Sequence, residues 1–242
     1  MKKRLNNILL KLIQSLTKLF FSSNSQLTMK GGLFRAYNRN ILPKTVIDVG
    51  AAEGNWSLDA SKLWPNANFL MLEPLIERKI KLDQLCKQFN NFFYVQAGAG
   101  SKIGELDFYV TSDLDGSGIA DNGTNSKKIK IPITSLDTEI ERLNLKGPYL
   151  LKLDTHGFEV PILEGAENIL KETSLVIIEC YGLRIAPSSL LFWEMCQYME
   201  LKGFRLLEIV DVVLRENDYA FWQCDAFFIP SNNPIFNKIT YH

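Results

Sequence analysis

The sequence predicts an α/β protein built on one open, largely parallel sheet of seven strands, and three observations carry that reading. Short apolar runs alternate with helix-patterned segments from residue 44 onward, the order that requires crossovers between parallel strands. The first run closes on an acidic residue and a glycine-broken turn, Asp48-Val49-Gly50-Ala51-Ala52-Glu53-Gly54. Four of the runs end on carboxylates, Asp48, Glu73, Asp154 and Glu179. Parallel strands would gather these in one crevice at the carboxyl edge of the sheet.

The elements follow in order. Strand one runs from Thr45 to Val49, and a helix follows through Trp56 to Leu63, closed by Trp64-Pro65-Asn66. Strand two is Asn68 to Leu72. The helix from Leu75 to Phe89 would present Ile76, Ile80, Leu82 and Leu85 to the sheet, and Phe92 to Gln96 is strand three. The pattern then breaks. Gly104 to Val110 and Lys127 to Ile133 are alternating strands around a polar, glycine-rich segment from Ser112 to Ser126, which reads as a β-hairpin insertion whose loop can act as a lid or substrate rim. Tyr149 to Leu153 is strand four, ending in Asp154, and Ser174 to Ile178 is strand five, ending in Glu179. A helix near Leu190 to Lys202 and two strands, Phe204 to Ile209 and Asp225 to Ile229, complete the sheet.

Composition sets the frame. The 242 residues include 46% hydrophobic ones and 27 charges of each sign, an ordinary globular chain able to bury one good core. Cys86, Cys180, Cys196 and Cys224 show no metal-ligand spacing and read as buried thiols of a reducing, cytoplasmic compartment. Two histidines, His156 and His242, argue against a histidine-rich metal site.

The neutral balance conceals an asymmetry. Residues 1–47 carry nine basic residues and no acidic one. Within them Leu5, Ile8, Leu9, Leu12, Ile13, Leu16, Leu19 and Phe20 recur at helical spacing. Residues 1–42 are therefore expected to be a basic amphipathic extension, and residues 43–242 the folded domain. The helix is too interrupted by Lys11, Gln14, Ser15 and Lys18 to span a membrane, and no secretory signal is evident. Two readings stay open: residues 1–22 lie on an anionic membrane at its inner face, or they pack on their own domain or a dimer partner. Nucleic acid is disfavoured, because the basic stretch lacks interleaved aromatics.

The glycine turn bears on the cofactor. Gly50 and Gly54 permit a sharp turn and close backbone approach, but Gly50-x-x-x-Gly54 is not the Gly-x-Gly-x-x-Gly that cradles a pyrophosphate. Glu73 follows Gly50 by 23 positions, at a second strand end where a carboxylate can accept hydrogen bonds from both hydroxyls of a ribose. A cofactor with a ribose and no pyrophosphate fits, and S-adenosylmethionine is the common one.

The segment Leu151-Lys152-Leu153-Asp154-Thr155-His156-Gly157-Phe158-Glu159-Val160-Pro161-Ile162-Leu163-Glu164-Gly165-Ala166 resembles the signature of FkbM-family methyltransferases, L-K-I-D-V-E-G-x-E-x-x-V-L-x-G-A. The likeness extends through Asp48-Val49-Gly50-Ala51, Glu73-Pro74, Gly98 to Gly104, Ser135-Leu136-Asp137 and Ile178-Glu179, over residues 43–230. It implies a class I methyltransferase with a Rossmann-like seven-stranded sheet, and S-adenosylmethionine-dependent O-methylation of a hydroxyl on a sugar, a glycan in polysaccharide biosynthesis, or a secondary metabolite. Two positions depart from the pattern: His156 replaces a glutamate, and Ser101 replaces an aspartate.

The expected cofactor residues are Asp48, Gly50, Ala51, Glu53, Gly54, Asn55, Glu73, Pro74, Gly98 and Asp154. Gly50 would allow close backbone approach, Glu73 would bind the ribose, and Asp48 would organise the loop or meet the amino-acid end. Gly98 and its neighbours would line the adenine. Asp154, His156 and Glu179 are candidates for a base that deprotonates the acceptor. A divalent ion on Asp154 and Glu179 is an alternative that the spacing does not demand. Two other readings remain: a nicotinamide-dependent oxidoreductase on a similar sheet, and a non-catalytic methyltransferase-like module in which His156 marks lost chemistry.

Overall fold

A computed structural model describes residues 27–119 and 126–240. The expected amphipathic helix of residues 5–20 and the tip of the hairpin loop lie outside the described residues. The chain forms helix α1 (Met29–Asn38), strand β1 (Thr45–Val49), α2 (Asn55–Ser61), β2 (Asn68–Leu72), a 3-10 turn (Ile76–Arg78), α3 (Lys79–Gln88), β3 (Phe92–Val95), β4 (Gly98–Ala99), β5 (Gly104–Val110) and β6 (Lys127–Thr134). It continues with α4 (Leu136–Arg142), β7 (Tyr149–Leu153), α5 (Glu159–Glu164), α6 (Glu167–Leu170), β8 (Thr173–Tyr181), α7 (Phe192–Leu201), β9 (Phe204–Leu214), β10 (Phe221–Pro230) and a final 3-10 turn (Pro234–Asn237).

The main sheet has seven strands in the order β3-β2-β1-β7-β8-β10-β9. The first five are parallel, and the long β9–β10 hairpin adds two antiparallel strands at one end. Every residue of β1 and β7 is buried, because helices cover both faces of the central strands; such strands read as continuous apolar runs. Alternation along β1 divides the core in two. Val46 packs with Leu33 and Ala36 of α1, Phe69, Met71 and Leu82 on one face. Ile47 and Val49 pack with Leu136, Ile140, Leu163, Met195 and Met199 on the other. Helix α1 lies within the expected extension yet is seated on this sheet, with Arg35 Nε and Arg39 Nη1 each 2.5 Å from a different oxygen of Glu208 on β9.

Strands one, two and four have the expected bounds, and the insertion is a hairpin with Gly104 opposite Ile133 and Val110 opposite Lys127. Several details differ. The last two strands, expected at Phe204 to Ile209 and Asp225 to Ile229, extend to Phe204–Leu214 and Phe221–Pro230, because they pair with each other as a long hairpin. Residues 76–78 form a 3-10 turn ahead of α3, which changes the helical phase, so Ile76 and Ile80 are 58% and 71% exposed while Leu82 is buried. Strand β8 continues to Tyr181, so Glu179 lies within it, opposite Asp225 of β10. The hairpin strands belong to a separate three-stranded sheet, β4-β6-β5, because Gly98 and Ala99 add to β6 in parallel.

The strand order reverses direction between β1 and β7. From β1 the chain moves outward to β2 and β3, and from β7 it moves the other way to β8. Such a switch point opens a crevice beyond the carboxyl ends of the two strands.

Candidate active site

The crevice is built by the turns that leave β1 and β7. Gly50 adopts φ +76°, and its N–H and that of Ala51 both donate to the Leu72 carbonyl, at 3.0 and 3.1 Å. A Cβ at Gly50 would stand 2.0 Å from the Asp154 carbonyl oxygen, so only glycine lets the two turns approach this closely. After β7 the chain again enters the left-handed region at His156 (φ +52°) and Gly157 (φ +97°). Buried Glu159 fixes that turn by accepting from the Gly157 N–H at 2.9 Å and the Thr155 hydroxyl at 3.1 Å.

A cavity of about 280 Å³ lies above these turns. Gly50, Glu73, Pro74, Gly98, Asp154, His156 and Glu179 all line it. The other expected cofactor residues sit outside its lining. Asp48 is fully buried beneath the turn, accepting from Ser57 Oγ at 2.7 Å and facing Lys152 Nζ at 3.4 Å. Ala51 is in the core. Gly54 (φ +77°) begins α2 and packs on Leu82 and Leu85 of α3, followed by exposed Asn55. Glu53 turns outward to Arg78 Nη1 at 3.2 Å and to Lys81. The physical reason is that the turn after Gly50 curls down onto α3. Ser101 is exposed and does not line the cavity.

In the cavity lining Glu73 is 6% exposed, and its carboxylate accepts from Ala52 N–H (3.1 Å, Oε2) and Leu75 N–H (2.9 Å, Oε1). Burial raises its pKa against the pull of those two N–H groups. Each oxygen keeps a further lone pair for a ligand.

Three further lining side chains, those of Asp154, His156 and Glu179, meet one another. Lys152, a cation in the middle of buried β7, donates to Asp154 Oδ2 at 3.0 Å. Burial opposes ionisation of Asp154, but the charges of Lys152 and His156 outweigh it and hold the carboxyl below its ordinary value. The free oxygen, Oδ1, lies 3.5 Å from His156 Nε2, and Glu179 Oε2 lies 3.6 Å from the same nitrogen. Glu179 accepts from Tyr181 Oη and Gln223 Nε2. Burial, then the Asp154 charge, pushes its pKa up to about 7. His156 Nδ1 lies 3.0 Å from the Ser117 carbonyl. A carbonyl accepts only, so Nδ1 carries the proton, and Nε2 faces two carboxylate oxygens.

Much of the remaining lining is apolar: Leu106 and Phe108 of β5, Ile131 and Ile133 of β6, and Phe158 and Ile162 beside the β7 turn. Arg78 adds a guanidinium to the lining and bridges Glu53 to Asp115 of the hairpin loop, 2.5 Å away. Sequence reasoning missed the roles of Arg78, Ser117 and Gln223, which act through contacts distant in the chain, and of Tyr181, which reaches Glu179 two residues before it on the same strand. For Lys152 a signal was present, a charge inside an unbroken apolar strand.

A family model for the methyltransferase FkbM domain matches residues 48–206. Among solved structures, the chain is similar to methyltransferase FkbM from Methylobacillus flagellatus KT, with TM-score 0.51 and 14% identity over 76% of this chain and 43% of that one. The present chain thus spans less than half the length of that protein. It is also similar to precorrin-6y C5,15-methyltransferase from Geobacter metallireducens GS-15 (TM-score 0.44, 14% identity, 85% of this chain and 91% of that one). A third likeness is to Aeropyrum pernix fibrillarin in complex with natively bound S-adenosyl-L-methionine (TM-score 0.45, 10% identity, 76% and 66%). No curated protein matches the chain.

Proposed function

The chain belongs to the FkbM methyltransferase family, and from that premise we propose that it transfers a methyl group from S-adenosylmethionine to a hydroxyl oxygen of a sugar, a glycan or another small acceptor. The single observation that carries this reading is the cavity at the sheet's switch point, lined both by the buried Glu73 carboxylate and by the cluster of Asp154, His156 and Glu179.

The residues present suit the cofactor. Glu73 offers acceptor lone pairs for the ribose hydroxyls. Gly98, Ala99, Ile133, Phe158 and Ile162 form an apolar slot for a flat base. Asp154 and Glu179 supply the negative surroundings that a sulfonium cation needs once it leaves water. Asp48 and Lys152 act from beneath, holding the β1 turn and Asp154 in place.

S-adenosylmethionine, held by Glu73 and the apolar slot, would supply an electrophilic methyl group to the acceptor oxygen and would leave as the neutral thioether. The protein must hold the acceptor oxygen in line with that methyl group and exclude competing water. The apolar wall from β5, β6 and the β7 turn does the second. Asp154, His156 and Glu179 do the first, and they lower the cost of removing the hydroxyl proton, an effect worth about 10²–10⁴ in rate.

The test is calorimetric titration with S-adenosylhomocysteine and, in parallel, with a nicotinamide dinucleotide. The first should bind in the micromolar range and the second should not. Glu73→Ala should weaken S-adenosylhomocysteine binding at least tenfold while the circular dichroism spectrum is kept. Unchanged affinity in that variant would remove Glu73 from the ribose role, and binding of the dinucleotide alone would replace the methyl-transfer reading with the oxidoreductase one.

A further inference from the structure

We propose that Asp154 Oδ1, His156 Nε2 and Glu179 Oε2 form a binding site for one first-row divalent transition ion, such as Mn²⁺ or Zn²⁺.

The three residues come from the β7 turn and from β8, and each offers one ligand atom within 4.8 Å of the other two. Two of the separations are 3.5 and 3.6 Å. Bonds to such ions are about 2.0–2.2 Å long, so ligand atoms around a shared centre stand about 3 Å apart, and a movement of a few tenths of an ångström brings each carboxylate oxygen to that distance from Nε2.

The supporting bonds point the same way. A ligating imidazole characteristically donates its other N–H to a carbonyl or carboxylate, which fixes the ring and the tautomer. Here Nδ1 is engaged by the Ser117 carbonyl at 3.0 Å, and Nε2 faces one oxygen of each carboxylate. The carboxylates are anchored as well. Asp154 Oδ2 is held by Lys152, which leaves Oδ1 free for the ion. Glu179 is held by Tyr181 and Gln223.

One imidazole with two carboxylates suits Mn²⁺, Fe²⁺ or Zn²⁺ rather than Ca²⁺, which takes six to eight oxygens. All three residues line the cavity, so the open positions of the ion face the space assigned to the acceptor. The binding claim stands on these side chains alone. The role of the ion rests on the methyl-transfer reading: an acceptor hydroxyl that enters the open position would be acidified and would give its proton to water at the cavity mouth.

The experiment uses the full chain, stripped with a chelator and dialysed. Binding is measured by electron paramagnetic resonance of free Mn²⁺ and by calorimetry with Zn²⁺. At least one of the two ions should bind at one per chain. His156→Asn, chosen because asparagine tolerates positive φ, and Glu179→Gln should each weaken that binding at least tenfold, with melting temperatures showing that both variants fold. Failure of both ions to bind stoichiometrically would overturn the proposal, as would binding unchanged in both variants. S-adenosylhomocysteine titration of the same samples separates the two readings. An ion bound without the thioether sinks the methyl-transfer reading and leaves the metal site, and the reverse result sinks the metal site alone.

Discussion

Lys152 shows how far a single residue governs this site. It stands in the middle of a strand whose five residues are all buried, 3.4 Å from Asp48 Oδ1, 3.0 Å from Asp154 Oδ2, and 5.7 Å from the centre of the Trp56 ring. Burial opposes its charge, but the two carboxylates outweigh that penalty and hold it protonated well above the ordinary lysine range. Removing it leaves the buried carboxylate of Asp48 and the partly exposed one of Asp154 without that cation. Lys152→Met is expected to destabilise the chain by about 3–5 kcal/mol, the usual cost of breaking a buried pair from one side. Urea denaturation measures this, and a loss under about 1 kcal/mol would mean that the two carboxylates are relieved from elsewhere. The strand itself was legible as Tyr149 to Leu153, and a lysine within it signals a paired charge. Its partner on β1 was not, because nothing in the spacing between Asp48 and Lys152 records that β1 and β7 lie side by side.

At the scale of elements, the hairpin of β5 and β6 forms a wall of the cavity, and its loop folds back on it. Gly118 exchanges two backbone hydrogen bonds with Tyr109, at 2.8 and 3.0 Å, and the Thr111 N–H donates to Ser117 Oγ at 3.0 Å. That fold brings the Ser117 carbonyl to His156. Arg78, whose side chain is 12% exposed, ties the same loop to the opposite wall through Asp115, which is 77% exposed. An ion pair with one exposed member contributes little to global stability, so its effect is local. Arg78→Ala should leave the melting temperature almost unchanged while speeding amide hydrogen exchange across residues 111–118 several-fold. Unaltered exchange there would show that the Tyr109–Gly118 pairing holds the loop unaided. Alternation in the sequence revealed the two strands of the hairpin. It could not reveal the fold-back, which depends on one serine meeting one threonine. The same limit explains Ile76 and Ile80: a helix begun at Leu75 by periodicity would bury them, whereas the 3-10 turn at Ile76–Arg78 shifts the phase before α3 starts.

For the whole molecule, the gathering of carboxylates at one end of the sheet makes stability depend on pH. Glu179 and Asp225 face each other across β8 and β10. Burial first, and then the charge of Asp154, pushes each pKa up to about 7, above the ordinary carboxylate values near 4. A carboxyl raised in the folded state binds its proton more tightly there, so its stabilising contribution is complete below about pH 4 and is lost as pH rises through about 7. In chelator, the melting temperature should therefore fall between pH 6 and pH 8, and Asp225→Asn should flatten that slope; a melting temperature that stays level or climbs over this interval in the parent chain would contradict the assignment. The sequence by itself determined the α/β class, the strands β1, β2 and β7, and the carboxylates that bear on the site, because apolar runs and strand-end acids are local signals imposed by a sheet buried on both faces. It also carried the family likeness through the segment Leu151 to Ala166. Only the tertiary structure decided which of those residues share a cavity. Glu73, Asp154, His156 and Glu179 meet there, while Asp48 and Glu53 do not, because the strand order and the downward curl of the turn after Gly50 fix where each side chain goes.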